Sequence, residues 1–244
     1  NHPVPDPSNV PAGAARIATS AFRFGSVYAG EFSNPAAGET GVLKPFGEFS
    51  TLKSVPMKDG SQTDLTRYPA RAGSDDLIML VNVPATEAQP FAWTAVTFPG
   101  YVWFSLKNVA DFPSTLFWLS NGGRPGHPWE KRHLGRLGLE EVCSHFCDGV
   151  DIAREDRLSA EGVPTSRQFD RGVPVRLAII QGAAAVGQSF GQGQPGGGRS
   201  VAPGAHHALG EIQPHHQAHP AVGVHAIAKQ ARQRNAQGQR SEEH

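Results

Sequence analysis

Apolar and polar residues alternate in short runs along the first three quarters of the chain, and Gly, Pro, Asp-Gly and Pro-Gly punctuate them. A period of two marks half-buried β-strands rather than helices. The clearest stretch is 89–108 (QPFAWTAVTFPGYVWFSLKN), where two β-rich runs flank Pro99-Gly100. In the first run Trp93, Ala95 and Thr97 point one way and Thr94, Val96 and Phe98 the other. Pro-Gly suits the centre of a turn, so the spacing predicts a hairpin. Further strands are predicted at 77–81, 111–120, 137–146 and 173–186, with shorter extended pieces around Phe22, Phe24 and Tyr28 and across 42–57. Asp59-Gly60 marks a turn. The proline-rich 1–11 reads as an extended entry segment or loop. Helical periodicity is weak before 173, and regular short strands with turn signals predict an all-β antiparallel sandwich.

Beyond 186 the pattern ends. The rest of the chain has Phe190 as its one aromatic and holds seven of the eleven histidines, at 206, 207, 215, 216, 219, 225 and 244. This divides the chain into a sandwich domain, 1–186, and a Gly/His/Gln-rich tail, 187–244. Such a tail buries too little apolar surface to offset its ordering entropy, so disorder is one expectation. A metal-binding histidine tail is a second. Out-of-frame translation of a GC-rich gene is the third and the favoured one, because Gly, Ala, Arg, Pro, His and Gln are what such frames encode. An intact reading frame to His244 on resequencing would end it.

Twenty-two basic residues balance twenty-two acidic ones, which argues against a generic nucleic-acid or anionic-membrane partner. No apolar run reaches the roughly 20 residues that span a bilayer. The N-terminus shows neither the features of a secretory signal nor an initiator Met, so the chain is read as processed or as a fragment. Cys143 and Cys147 fall four apart in one predicted strand, on one face but too distant to bridge. Reduced thiols and a cytoplasmic setting are expected.

Candidate chemistry concentrates in 118–146 (WLSNGGRPGHPWEKRHLGRLGLEEVCSHF): a strand, a Gly- and Pro-dense loop, a basic run and a second strand carrying two acids. A loop held between rigid strands is a common way to build a binding site, and a solvated surface turn is the alternative. Glu140 and Glu141 are neighbours on a strand and so face opposite sides. One can enter a half-buried cleft and act as a general base; otherwise both are solvated edge residues. Arg124 offers planar donors to ring oxygens or phosphates, and Trp129 a flat apolar face for a sugar, the alternative being a turn with an incidental salt bridge. His2 can serve as an acid near neutral pH, or is simply exposed. Cys143, His145 and Cys147 would share a strand face, but their spacing matches no known zinc finger, so they read as packed small residues and no metal is expected. GxSxG, GxGxxG and P-loop patterns are absent. Asp59, Asp64, Asp75 and Asp76 are candidate polar shell residues in a segment that reads as loop.

Several segments, taken in order, resemble the galactose mutarotase-like superfamily, which includes the aldose 1-epimerases. They are NHPV, FRFGSVYAGEF, LKPFGEFSTLKSVPMKDGSQTDLTRYP, FPSTLFWLSNGGRPGHPW, RLGLEEVCSHF, GVPTSRQFD and the strand ending in IIQG. The resemblance covers about 1–186. It implies an antiparallel β-sandwich with a concave sugar-binding face and reversible interconversion of α and β anomers of a free aldose, without metal or organic cofactor. Glu140 matches the family's catalytic glutamate and His2 its acid; Arg124, Trp129 and Asn121 would line the sugar site. The implied partner is a monosaccharide, with no nucleic acid or membrane.

The chain departs from the family pattern at both ends, where strands of the family are missing or replaced by the tail. A sandwich lacking strands has exposed edges and an incomplete core. Weak or no isomerase activity is therefore expected. A non-catalytic sugar-binding sandwich, or a degraded gene product, are the other readings.

Overall fold

The structure, a computed structural model, describes residues 13–30, 38 and 40–187. His2 and all of the predicted tail after 187 lie outside the described residues.

The chain forms β1 (Ala15–Thr19), β2 (Phe22–Val27), β3 (Glu48–Phe49), β4 (Val55–Pro56), β5 (Gln62–Thr63) and β6 (Arg67–Tyr68). It continues with β7 (Ser74–Asn82), β8 (Phe91–Phe98), β9 (Tyr101–Asn108), β10 (Ser114–Asn121), β11 (Arg136–Val142), the short helix α1 (Val150–Arg154) and β12 (Ile179–Ala185). Two five-stranded sheets result, ordered β6-β1-β8-β9-β12 and β3-β2-β7-β10-β11, beside the small hairpin β4-β5. All strand pairs are antiparallel. The all-β antiparallel sandwich read from the alternation is the observed architecture. Among the described residues no helix is long and apolar enough to cross a membrane.

Alternation decides which side chains meet. Ile17 and Val96 of the first sheet face Ile78, Leu80, Phe117 and Leu119 of the second, and Leu43, Leu52, Val55 and Leu65 close the end of this core. Trp93, Ala95, Val102, Phe104 and Leu106 form a second apolar cluster on the opposite face of the first sheet. The split of β8 into these two sets is the one its sequence predicts. Its partner β9 follows through Pro99-Gly100, and Gly100 sits at φ 90°, the left-handed conformation a type II turn needs at that position.

The core also holds one ion pair. Lys107 on β9 and Glu141 on β11 point inward from opposite sheets, with side chains 1% and 2% exposed, and Nζ lies 2.7 Å from Oε2. Thr115 on β10 accepts from Lys107 Nζ at 2.6 Å and donates to Glu141 Oε2 at 2.8 Å. Burial drives the lysine pKa down to about 8, even against the neighbouring carboxylate.

Several strand boundaries differ from expectation. The strand predicted at 137–146 ends at Val142, so Cys143, His145 and Cys147 occupy a turn instead of one strand face. Neither cysteine is in a disulfide. The run predicted at 173–186 is strand only from Ile179; Pro174 lacks the N–H a ladder requires, and Val173, Val175 and Leu177 are exposed. Strand β7 begins three residues before Leu77 and takes in Asp75 and Asp76, which are buried. A register shift between Phe22 and Phe24 sends Phe22 to the inter-sheet core and Phe24 to the outer face of the second sheet.

Candidate functional site

Strands β10 and β11 pair as a hairpin from Ser114↔Val142 to Ser120↔Arg136, and the loop 122–135 joins them. Backbone bonds within the loop fix its course: Gly122 N–H donates to His133 O at 2.9 Å, Lys131 N–H to Arg124 O at 2.8 Å and Trp129 N–H to Gly126 O at 2.9 Å. Asp75, fully buried, anchors the loop to the sheet. Its Oδ2 accepts from Gly123 N–H at 2.6 Å and its Oδ1 from the Trp118 indole N–H at 3.2 Å.

On the outer face of this hairpin three rings pack together. Trp118 meets Trp129 edge to face at 5.2 Å and stacks on His133 at 5.0 Å, while Trp129 and His133 are 4.8 Å apart. The Arg124 guanidinium lies over Trp129, 5.5 Å from the ring centre. Trp118 stands opposite Gly138, and Leu116 opposite Glu140, so Arg136, Gly138 and Glu140 of β11 project on this same side. Arg136 Nη1 is buried with no hydrogen-bond partner among the described residues. Further along the sheet, Leu77, Met79, Val81 and Leu116 are covered by Phe146 and Val163.

The two glutamates are thus separated by the pleat. Glu141 points inward to Lys107 and cannot reach a ligand. Glu140 lies on the open face, but it is exposed, where a half-buried cleft was expected. Edge strand β11 has no further strand beside it among the described residues to wall such a cleft. Arg124 and Trp129 are in contact within the loop. Asn121 does not join them. Alternation along β10 turns it away from Trp118 and Ser120, and it is buried, donating to Arg71 O and accepting from Gly135 N–H at 2.8 Å. It lines a cavity of about 20 Å³ with Asp76 and Leu119, room for little more than one water. A second cavity, between Ser20 and Val109, encloses about 80 Å³. Both fall well below the roughly 300–1,000 Å³ of small-molecule pockets. A ligand on the β10–β11 hairpin would rest on an open face.

Sequence reasoning passed over His133 and Trp118. His133 Nδ1 and Ser120 Oγ are 2.7 Å apart, and burial with the nearby Arg136 guanidinium holds the imidazole pKa below its usual value. That shift favours the neutral ring, which contributes a flat surface. Acid should loosen it. The unfolded chain takes up the proton at about pH 6.5, before the folded one does, so the stability this residue supplies falls as pH drops below that value. The urea midpoint of the unmodified chain should decline between pH 7.5 and 5.5 more than that of His133→Phe, which keeps a ring but cannot titrate. Parallel declines would refute the assignment.

Asp76 has a different part: its carboxylate accepts from Val42 and Leu43 N–H at 3.0 Å each, and burial raises its pKa. His145 Nδ1 lies 2.8 Å from Asp148 Oδ2, and Asp148 Oδ1 accepts from the Tyr28 hydroxyl at 2.7 Å. Among the described residues no group of three or more His, Cys, Asp and Glu side chains is placed to hold a metal ion. Comparison with protein-family models, with curated proteins and with solved structures found no match for this chain.

Proposed function

We propose that the chain is a carbohydrate-binding β-sandwich of the galactose mutarotase-like type, taking a monosaccharide on the open face of the β10–β11 hairpin. One grouping supports this reading: Trp118, Trp129 and His133 packed together, a guanidinium over Trp129 and the Glu140 carboxylate on the same side. Sugars present an apolar ring face and a rim of hydroxyls. The first stacks on an indole, whose large flat area carries the binding; the second donates to a carboxylate and accepts from a guanidinium. Trp129→Ala should weaken D-galactose or D-glucose binding about tenfold, or about 1.4 kcal/mol, in a calorimetric titration. Equal affinities in both proteins would count against the site.

A second reading adds aldose 1-epimerase chemistry, and what favours it is that the glutamate matched by the family resemblance is the accessible one of the pair. Glu140 would take the proton of the anomeric hydroxyl and a histidine, matched by His2, would protonate the ring oxygen. The ring opens, rotates about its first carbon–carbon bond and recloses on the other face. Polarimetry separates the two readings. A rate well above buffer that falls by roughly 10²-fold or more in Glu140→Gln would establish catalysis; a rate equal to buffer leaves binding alone.

A further inference from the structure

We infer that Gly138 is the positioning residue of this face, the missing side chain that sets the Glu140 carboxylate beside the Trp118 indole. The inference rests on the carbohydrate reading and refines it. A glycine inside a strand weakens the strand, and it often marks a place where something must approach closely. Here the neighbours are Arg136 and Glu140 along β11 and Trp118 directly across on β10. A methyl group at 138 would lie 3.1 Å from Trp118 Cβ, and 3.5 Å from both Trp118 Cε3 and Glu140 Oε1. The carboxylate therefore leans back along its own strand to the space a side chain would fill, at the edge of the indole. A methyl alone would ask a few tenths of an ångström of Trp118 Cβ and meet the carboxylate at ordinary contact distance, whereas a branched side chain at 138 must displace one of the two, and the exposed glutamate is the freer to swing out into water.

This arrangement gives the site its reach. A carboxylate at the rim of an indole accepts hydrogen bonds from a ring stacked on that indole, and its two oxygens accept from two adjacent hydroxyls. The ligand class is a sugar ring that offers adjacent hydroxyls at the edge of its stacking face. A carboxylate swung into solvent would leave the ring stacked but unread.

The test is a double-mutant cycle with D-galactose as the probe, titrated into the full chain. Gly138→Leu should weaken binding at least about tenfold, the scale of losing a hydrogen bond to a charged group, whereas Gly138→Ala, whose methyl meets the carboxylate at ordinary contact distance, should leave it within about twofold. In a Glu140→Ala background Gly138→Leu should cost nothing further, because the carboxylate it displaces is gone. Near-UV circular dichroism checks that Trp118 keeps its packing, and Gly138→Val carries the test if the leucine variant does not fold. Equal losses with and without Glu140, or no loss at all, would overturn the role of Gly138 while leaving the carbohydrate face standing. An unmodified chain that does not bind D-galactose while it binds no other hexose would remove both.

Discussion

Lys107→Ala should lower the unfolding free energy by about 3–5 kcal/mol, the cost of leaving one partner of a buried ion pair uncompensated. Glu141 would remain between the sheets, its side chain 2% exposed, with Thr115 as its remaining hydrogen-bond donor among the described residues. The contrast is the double replacement Lys107→Met with Glu141→Leu. It removes both charges and their desolvation cost, so it should be near neutral or stabilising. Urea unfolding monitored by tryptophan fluorescence measures both. If Lys107→Ala shifts the free energy by less than about 1 kcal/mol, the pair is solvated in a way its burial denies. The same geometry explains why only one of two adjacent glutamates is free for other work.

Asp75→Ala should act on stability and site together. The fully buried carboxylate is the acceptor for Gly123 N–H and the Trp118 indole N–H. Each buried donor left unsatisfied costs about 1–3 kcal/mol, so a loss of roughly 2–5 kcal/mol is expected. The loop that carries Trp129 and Arg124 would lose its tie to β7, and Trp118 its fixed orientation, so sugar affinity should fall with stability. Asp75→Asn keeps one acceptor and should fall between. An Asp75→Ala protein that melts like the unmodified chain and binds sugar equally well would show that the loop holds itself in place.

Much of this architecture was legible because alternation is a local property. The β8–β9 hairpin announces itself through Trp93/Ala95/Thr97 against Thr94/Val96/Phe98 and the Pro-Gly turn between strands. The β10–β11 hairpin was readable for the same reason, as was the loop between its strands in which Arg124 and Trp129 lie. What was not legible depends on partners distant in sequence. Asp75 and Asp76 look like loop residues, and donors distant in sequence make them tolerable inside a strand: the Gly123 N–H and Trp118 indole N–H for Asp75, the Val42–Leu43 backbone for Asp76. Nothing local marks Lys107 as inward-facing, because its partner is 34 residues away in a different sheet. The overrun at 137–146 arose because apolar residues continue to Phe146, but they pack back over the sheet face from a turn. The family resemblance implies Asn121 at the sugar site, but its own parity on β10 turns it inward.

Carbodiimide footprinting of the carboxylates, with and without saturating D-galactose, addresses the open face most directly. Without sugar Glu140 should label readily, as exposed Glu48 and Glu87 do, while Glu141 beneath the sheet stays unlabelled. With sugar Glu140 alone should be protected. Glu140 labelling at the same rate in both samples would contradict a saccharide seated against Trp118 and Trp129.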